Sequence, residues 1–168
     1  MLTKQAKFIA AITLQVIIVF AIIISKLSVL SGGTDILLRI EPVDPRDMLR
    51  GDYATFQYSN VSNVFSDNQQ IKNGDTVYVT LEQSGNYWIA KDVQKTKPFG
   101  GEIALKGKVA SSNGSGIHIV YGIEQYFIPE GKGQGFSFFN KEAAAKVVVD
   151  ENGNGVLKQI YVDDKPWP

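Results

Sequence analysis

Residues 8–24, FIAAITLQVIIVFAIII, carry no charge, and only Thr13 and Gln15 among them are polar. At about 1.5 Å per residue this run makes roughly 25 Å of helix, just short of a hydrocarbon core of about 30 Å. Leu27, Val29 and Leu30 supply the missing length once the Lys26 amine reaches back to the headgroups, so the pattern predicts a membrane span over residues 8–30. The run is apolar on every face, which argues against a buried core helix. It is also long and β-branched, and Ser25-Lys26-Leu27 is unlike the small-x-small exit of a cleaved signal peptide, so a retained anchor is expected. Lys4, Lys7 and the terminal amine outweigh Lys26, which orients the N-terminus to the cytoplasm. The bulk of the chain is then expected outside the cytoplasmic (inner) membrane, held by one pass.

Beyond Ser31-Gly32-Gly33-Thr34, which reads as a short flexible linker, the period changes to two. Over residues 35–43 Ile36, Leu38 and Ile40 alternate with Leu37, Arg39 and Glu41, and Pro42 and Pro45 end the ladder. Gly51-Asp52 turns the chain into a strand over 53–58, with Tyr53, Thr55 and Gln57 on one face and Ala54, Phe56 and Tyr58 on the other. A short helix is expected near 61–65. Gly74-Asp75 repeats the turn device before a hairpin of residues 76–83 and 87–94 about Ser84-Gly85-Asn86. Residues 97–101 form a loop. A second hairpin joins 103–110 to 116–121, and 122–128 continues as strand or bend. After the Gly-rich loop 129–135, NKEAAA over 140–145 has an Asn cap and good helix formers, which predicts a helix. A last hairpin, 146–150 with 156–162, precedes a tail over 163–168.

These elements predict a mainly β (β-rich α+β) chain: a single barrel- or sandwich-like antiparallel domain after one N-terminal transmembrane helix. The expected division is residues 1–30 for the cytoplasmic terminus and anchor and residues 31–168 for the extracytoplasmic domain.

Charge sharpens this picture. The chain of 168 residues has zero formal net charge, but the segment before Ser31 holds three basic residues and no acidic one. The remainder therefore carries a net charge of −3, which argues against a nucleic-acid partner, since that needs a basic surface. The absence of cysteine excludes disulfides, thiolate catalysis and lipid attachment at a cysteine. His118 is the one histidine; it is out of phase with Ile117, Ile119 and Tyr121 and reads as a surface or edge residue.

Candidate chemistry concentrates in residues 41–58, EPVDPRDMLRGDYATFQY. Asp44, Asp47 and Asp52 could hold a divalent cation, and Arg46 and Arg50 an anionic group. The spacing does not match a calcium loop, however, and Asp in turns and Asp–Arg pairing make a structural knot the better account. Glu124 and Glu130 are a candidate carboxylate pair for acid–base work, yet they lie six apart across Pro129 and nothing in the sequence sets them face to face. Gly131, Gly133 and Gly135 lack the Lys-Ser/Thr and helix of a phosphate loop. The aromatics Tyr87, Trp88, Tyr126, Phe127, Phe136, Phe138, Phe139 and Trp167 are mostly core by their alternation, with residues 136–139 the expected exposed exception. Type I signal peptidases also place a β-domain after a span, but no Ser-Met motif follows Ser28 or Ser31, and Lys106 and Lys108 alternate as solvent-facing residues. No catalytic set, cofactor or metal site emerges. Arg46, Asp47, Arg50, Asp52, Tyr53, Glu124 and Glu130 remain as residues for a partner or ligand, with a hydrolase or ligand-binding protein using the 44–52 cluster as the competing reading.

The residues Gly51-Asp52-Tyr53-Ala54-Thr55-Phe56-Gln57-Tyr58 resemble the signature that names the GDYXXLXY family, with Phe56 in place of Leu. The stretches 42–50 (PVDPRDMLR) and 121–131 (YGIEQYFIPEG) are similar to that family as well. The resemblance implies a bacterial, membrane-anchored protein of unknown function, in some genomes encoded near multi-spanning membrane proteins, which makes such a protein a possible partner. It implies no catalytic residues. The expected role is thus a non-enzymatic accessory or partner-binding module of a membrane or envelope assembly.

Overall fold

The computed structural model describes residues 3–42, 53–65, 71–113, 116–127 and 141–167. One helix, α1 (Lys4–Gly32), opens the chain; its N-cap is Thr3, whose hydroxyl accepts the Ala6 N–H. It is long and apolar enough to cross a membrane. Its last turns are not followed by a flexible linker, contrary to the reading of Ser31–Thr34. Gly33 donates its N–H to Val29 O at 2.9 Å, and β1 (Thr34–Pro42) starts at the next residue. A Cβ on Gly33 would lie 2.6 Å from Val148 Cγ1 and 2.7 Å from Val149 O, so glycine is used here for close approach, not for looseness.

Eleven strands follow among the described residues: β1, β2 (Tyr53–Tyr58), β3 (Asn63–Phe65), β4 (Thr76–Ser84), β5 (Tyr87–Gln94), β6 (Ala104–Asn113), β7 (Gly116–Val120), β8 (Gln125–Phe127), β9 (Ala143–Val149), β10 (Gly155–Val162) and β11 (Lys165–Trp167). They build two antiparallel, barrel-like sheets in the orders β11-β10-β9-β1-β2-β8 and β3-β7-β6-β4-β5. The expected alternation holds in β1, where Ile36, Leu38 and Ile40 are buried, and in β2, where Phe56 and Tyr58 are. The β4–β5 hairpin turns through Gly85-Asn86, with Gly85 at φ 62°.

Three local readings are corrected. The alanines of residues 143–145 open β9 and pair with Leu38, Arg39 and β10 instead of forming a helix. Small side chains fit a strand that is buried on both faces, and the β-branched Val147-Val148-Val149 that follows commits the segment to a sheet. Val148 lies outside the main core cluster and is still buried, with Gly33 at the end of α1 close against it. The helix expected near 61–65 is a turn leading into β3. The expected tail is β11: Asp163 and Asp164 take φ 49° and 61°, and Val162 pairs with Lys165 across this two-residue turn. Asp tolerates the left-handed region better than most residues, and burial of Trp167 secures the strand.

Residues 59–62 join the two sheets. Three successive carbonyls there accept from three different places: Asn60 O from Ala90 N–H on β5, Val61 O from the Tyr121 hydroxyl, and Ser62 O from Ile119 N–H on β7. Ser62 closes the turn on itself: its N–H donates to Tyr58 O, and its Oγ accepts the Tyr58 N–H at 3.0 Å. A turn with its backbone groups satisfied in this way can be buried, as Val61 and Ser62 are.

Candidate functional site

The described part of the signature strand performs packing. Phe56 and Tyr58 are almost wholly buried and meet edge to face, with ring centroids 5.7 Å apart. The Tyr58 hydroxyl donates to Ile123 O at 2.6 Å. Tyr121 lies edge-on to Tyr58 at 6.1 Å and donates its hydroxyl to Val61 O, also at 2.6 Å. Burial pushes both phenols well above their usual range, the Glu124 carboxylate adds to this, and Tyr121 raises Tyr58 further. The two tyrosines are therefore neutral hydrogen-bond donors inside the corner.

Glu124 belongs to the same corner. Its Oε1 accepts the Tyr121 N–H across a bend that Gly122, at φ 77°, makes possible, and its carbonyl accepts the Phe56 N–H at 3.0 Å. The side chain locks the bend between β7 and β8. Its proposed partner Glu130 lies outside the described residues, as do Asp44, Arg46, Asp47, Arg50 and Asp52 and the aromatics Phe136, Phe138 and Phe139. Of Tyr53 the backbone alone is described: it opens β2 opposite Phe127 of β8.

β1 and β2 fix where the signature segment joins the domain. Thr34 adjoins α1, and Pro42, eight residues along an extended strand, is about 26 Å further on. Pro42 and Tyr53 lie at the end of β1 away from the helix, and Tyr53 pairs there with Phe127. Near this end Arg39 stacks over the Tyr87 ring at 5.1 Å and is ion-paired with Glu142, beside Asn60 and Trp88.

A larger cleft, of about 710 Å³, lies at the opposite end. Gly32 and Thr34 form one wall and residues 96–104 another. Two of its acidic groups are engaged locally. Asp150 Oδ1 accepts the N–H groups of Asn152 and Asn154 at 2.8 and 2.7 Å, and Glu102 pairs with Lys91 at 3.1 Å. Phe99, on the rim, is 95% exposed. The sequence predicts a loop over residues 97–101, and an aromatic held between Pro98 and Gly100-Gly101 is the signal in it for an exposed ring.

His118 sits on β7 with its Nδ1 2.8 Å from Asn63 Oδ1 of β3, a contact the Nδ1–H tautomer makes as donor. Lys106 and Lys108 are solvent-facing, as their alternation requires. Trp167 is buried, Tyr87, Trp88 and Tyr126 are partly buried, and Phe127 is exposed.

No curated protein and no solved structure matches this chain. A family model does, over residues 15–160, from within the apolar helix to Ile160 of β10. With the signature strand at the centre of its core, the chain belongs to the GDYXXLXY protein family.

Proposed function

We propose that the protein is a single-pass, membrane-anchored accessory module that holds its β-domain outside the cytoplasm to engage a partner in a membrane or envelope assembly. The observation that carries this is the junction. α1 runs into β1 across Gly33, which is packed against Val148 and Val149 of β9, and Val29 in the last turns of α1 is buried. A helix that completes the burial of a central strand is a component of the fold, which favours a retained anchor over a removable leader. Lys4 and Lys7 favour a cytoplasmic N-terminus.

The candidate partner-binding residues are the ones the sequence offers, Arg46, Asp47, Arg50, Asp52, Tyr53, Glu124 and Glu130. A multi-spanning membrane protein is the class of partner the reading favours. The reading takes the role as non-enzymatic; what supports it among the described residues is that the Glu124 carboxylate is engaged in locking a bend.

The test is chemical crosslinking in native membranes carrying the full chain, with recovery and mass spectrometry. One reproducible adduct, lost in an Arg46→Glu/Arg50→Glu variant that retains the parent's melting profile, is expected. Recovery of no reproducible partner retires the reading.

A further inference from the structure

We propose that residues 95–101 (KTKPFGG) form a lipid-docking loop that rests Phe99 in the headgroup region of the bilayer crossed by α1; this rests on the anchor reading above. α1 has 29 residues, so at about 1.5 Å each it is roughly 43 Å long, matching about 40–45 Å for a bilayer with its headgroups. Its last residue, Gly32, therefore lies at the outer limit of the headgroup layer. The junction leaves the domain no slack to swing, because Gly33 is packed against Val148 and Val149 and bonded to Val29 O. One face of the domain is thereby held against the bilayer, and it is the face with the cleft that Gly32 and Thr34 share with Pro98, Phe99 and Gly101.

Phe99, at 95% exposure, is the most exposed large apolar side chain among the described residues. An aromatic ring held in water has no stabilising role in the domain itself, whereas interfacial burial of about 5–10 Å would remove most of it from water. The tip is shaped to present it: Pro98 precedes it, and Gly100 and Gly101 follow at φ 101° and 78°. Exposed Lys97 beside it suits anionic headgroups, while Lys95 is tied to Asp75 at 2.7 Å and anchors the base of the loop. Of the carboxylates along the cleft, Glu102 is neutralised by Lys91 and Asp150 is turned into its own loop, so the rim opposes an anionic surface mainly through Glu151.

The chain has no cysteine, so single-cysteine variants of the full protein take one environment-sensitive fluorophore. Thr96→Cys reports the loop, and Asn86→Cys, at the β4–β5 tip about 30 Å along β4, reports the far end. Ile17→Cys reports mid-helix. In phosphatidylcholine–phosphatidylglycerol vesicles, headgroup-depth spin-labelled lipid is expected to quench Thr96→Cys several-fold more than Asn86→Cys. Adding Phe99→Ser, at an exposed site, is expected to bring the Thr96→Cys signal down towards the Asn86→Cys level. Quenching at Thr96→Cys equal to that at Asn86→Cys, with Ile17→Cys quenched by deep spin labels, overturns the docking loop and leaves the anchor standing. A blue shift at Thr96→Cys without lipid quenching marks a protein contact and also overturns it. If Ile17→Cys is unquenched, the anchor itself falls, and the docking loop with it.

Discussion

Replacing Tyr58 with Phe removes one oxygen from the centre of the corner and keeps its shape. The ring still meets Phe56 and Tyr121, but Ile123 O loses a donor at 2.6 Å. Depriving a buried carbonyl of its partner costs about 1–3 kcal/mol, so the variant is expected to be less stable by that amount at neutral pH. The pH dependence is the sharper test. Tyr58 titrates near pH 10 when unfolded, and burial pushes it well above that in the folded protein. A raised folded pKa gives stability that is complete below about pH 10 and is lost as the pH rises towards the folded value, because the unfolded chain alone releases the proton. The loss approaches about 1.4 kcal/mol per pH unit for one group. Between pH 9 and 11 the wild type is thus expected to lose about 1.4 kcal/mol that Tyr58→Phe has no proton to lose, and the stability gap between them narrows by that much. Tyr121 is present in both proteins, so its contribution largely cancels. Urea unfolding of the detergent-held full chain, followed by the fluorescence of Trp88 and Trp167, measures the gap at each pH. A gap that stays constant or widens from pH 9 to 11 would refute the account of Tyr58 as a buried, neutral donor.

Three further substitutions probe other parts of the fold. Gly33→Val forces a Cβ to within 2.6–2.8 Å of Val148 Cγ1, Val149 O and Val29 O; a loss of about 1–3 kcal/mol and new protease cleavage between α1 and β1 are expected, read by melting and limited proteolysis. Gly107→Ala places a Cβ 2.4 Å from Ile119 Cγ2 and 2.9 Å from the Tyr121 ring, so it should cost about 1–3 kcal/mol in urea unfolding; a neutral result would mean that the ring is not seated there. Asp164→Gly relieves a left-handed residue at φ 61° in the β10–β11 turn and is expected to stabilise by about 1 kcal/mol, seen as a raised melting temperature.

The sequence pattern was most informative where one period ran uninterrupted. The apolar run of α1, the alternation of Ile36, Leu38 and Ile40, and the β4–β5 hairpin about Gly85-Asn86 were all legible, because burial on a single face writes a clear period into the chain. Residues 143–145 were misread for the opposite reason. A strand covered on both faces loses its alternation, and alanines there report lack of space rather than helix propensity. Gly32-Gly33 looked loose because sequence alone does not distinguish glycine used for flexibility from glycine used for contact; the deciding atoms belong to Val148 and Val149, far along the chain. The role of Glu124 was hidden likewise, since its partner is a backbone N–H three residues earlier and no side-chain pattern marks it. Phe99 was visible as a residue, but the face it occupies depends on where α1 enters the fold.

The pairing of β1 with β9 sets a timetable for biogenesis. Arg39 and Glu142, joined in the finished domain, are 103 residues apart in the chain. At about 5–20 residues per second, roughly 5–20 s of synthesis separates them. During that interval β1 follows α1 with one hydrogen-bonding edge unfilled and Ile36, Leu38 and Ile40 without their full cover. An apolar strand with an open edge is the species most prone to pair with the wrong chain. On the anchor reading proposed above, attachment confines it to the membrane surface, so the abundance of neighbouring nascent copies, more than the stability of the final fold, is expected to set how much protein matures. Yield on overexpression is expected to fall with expression rate and to recover when synthesis is slowed.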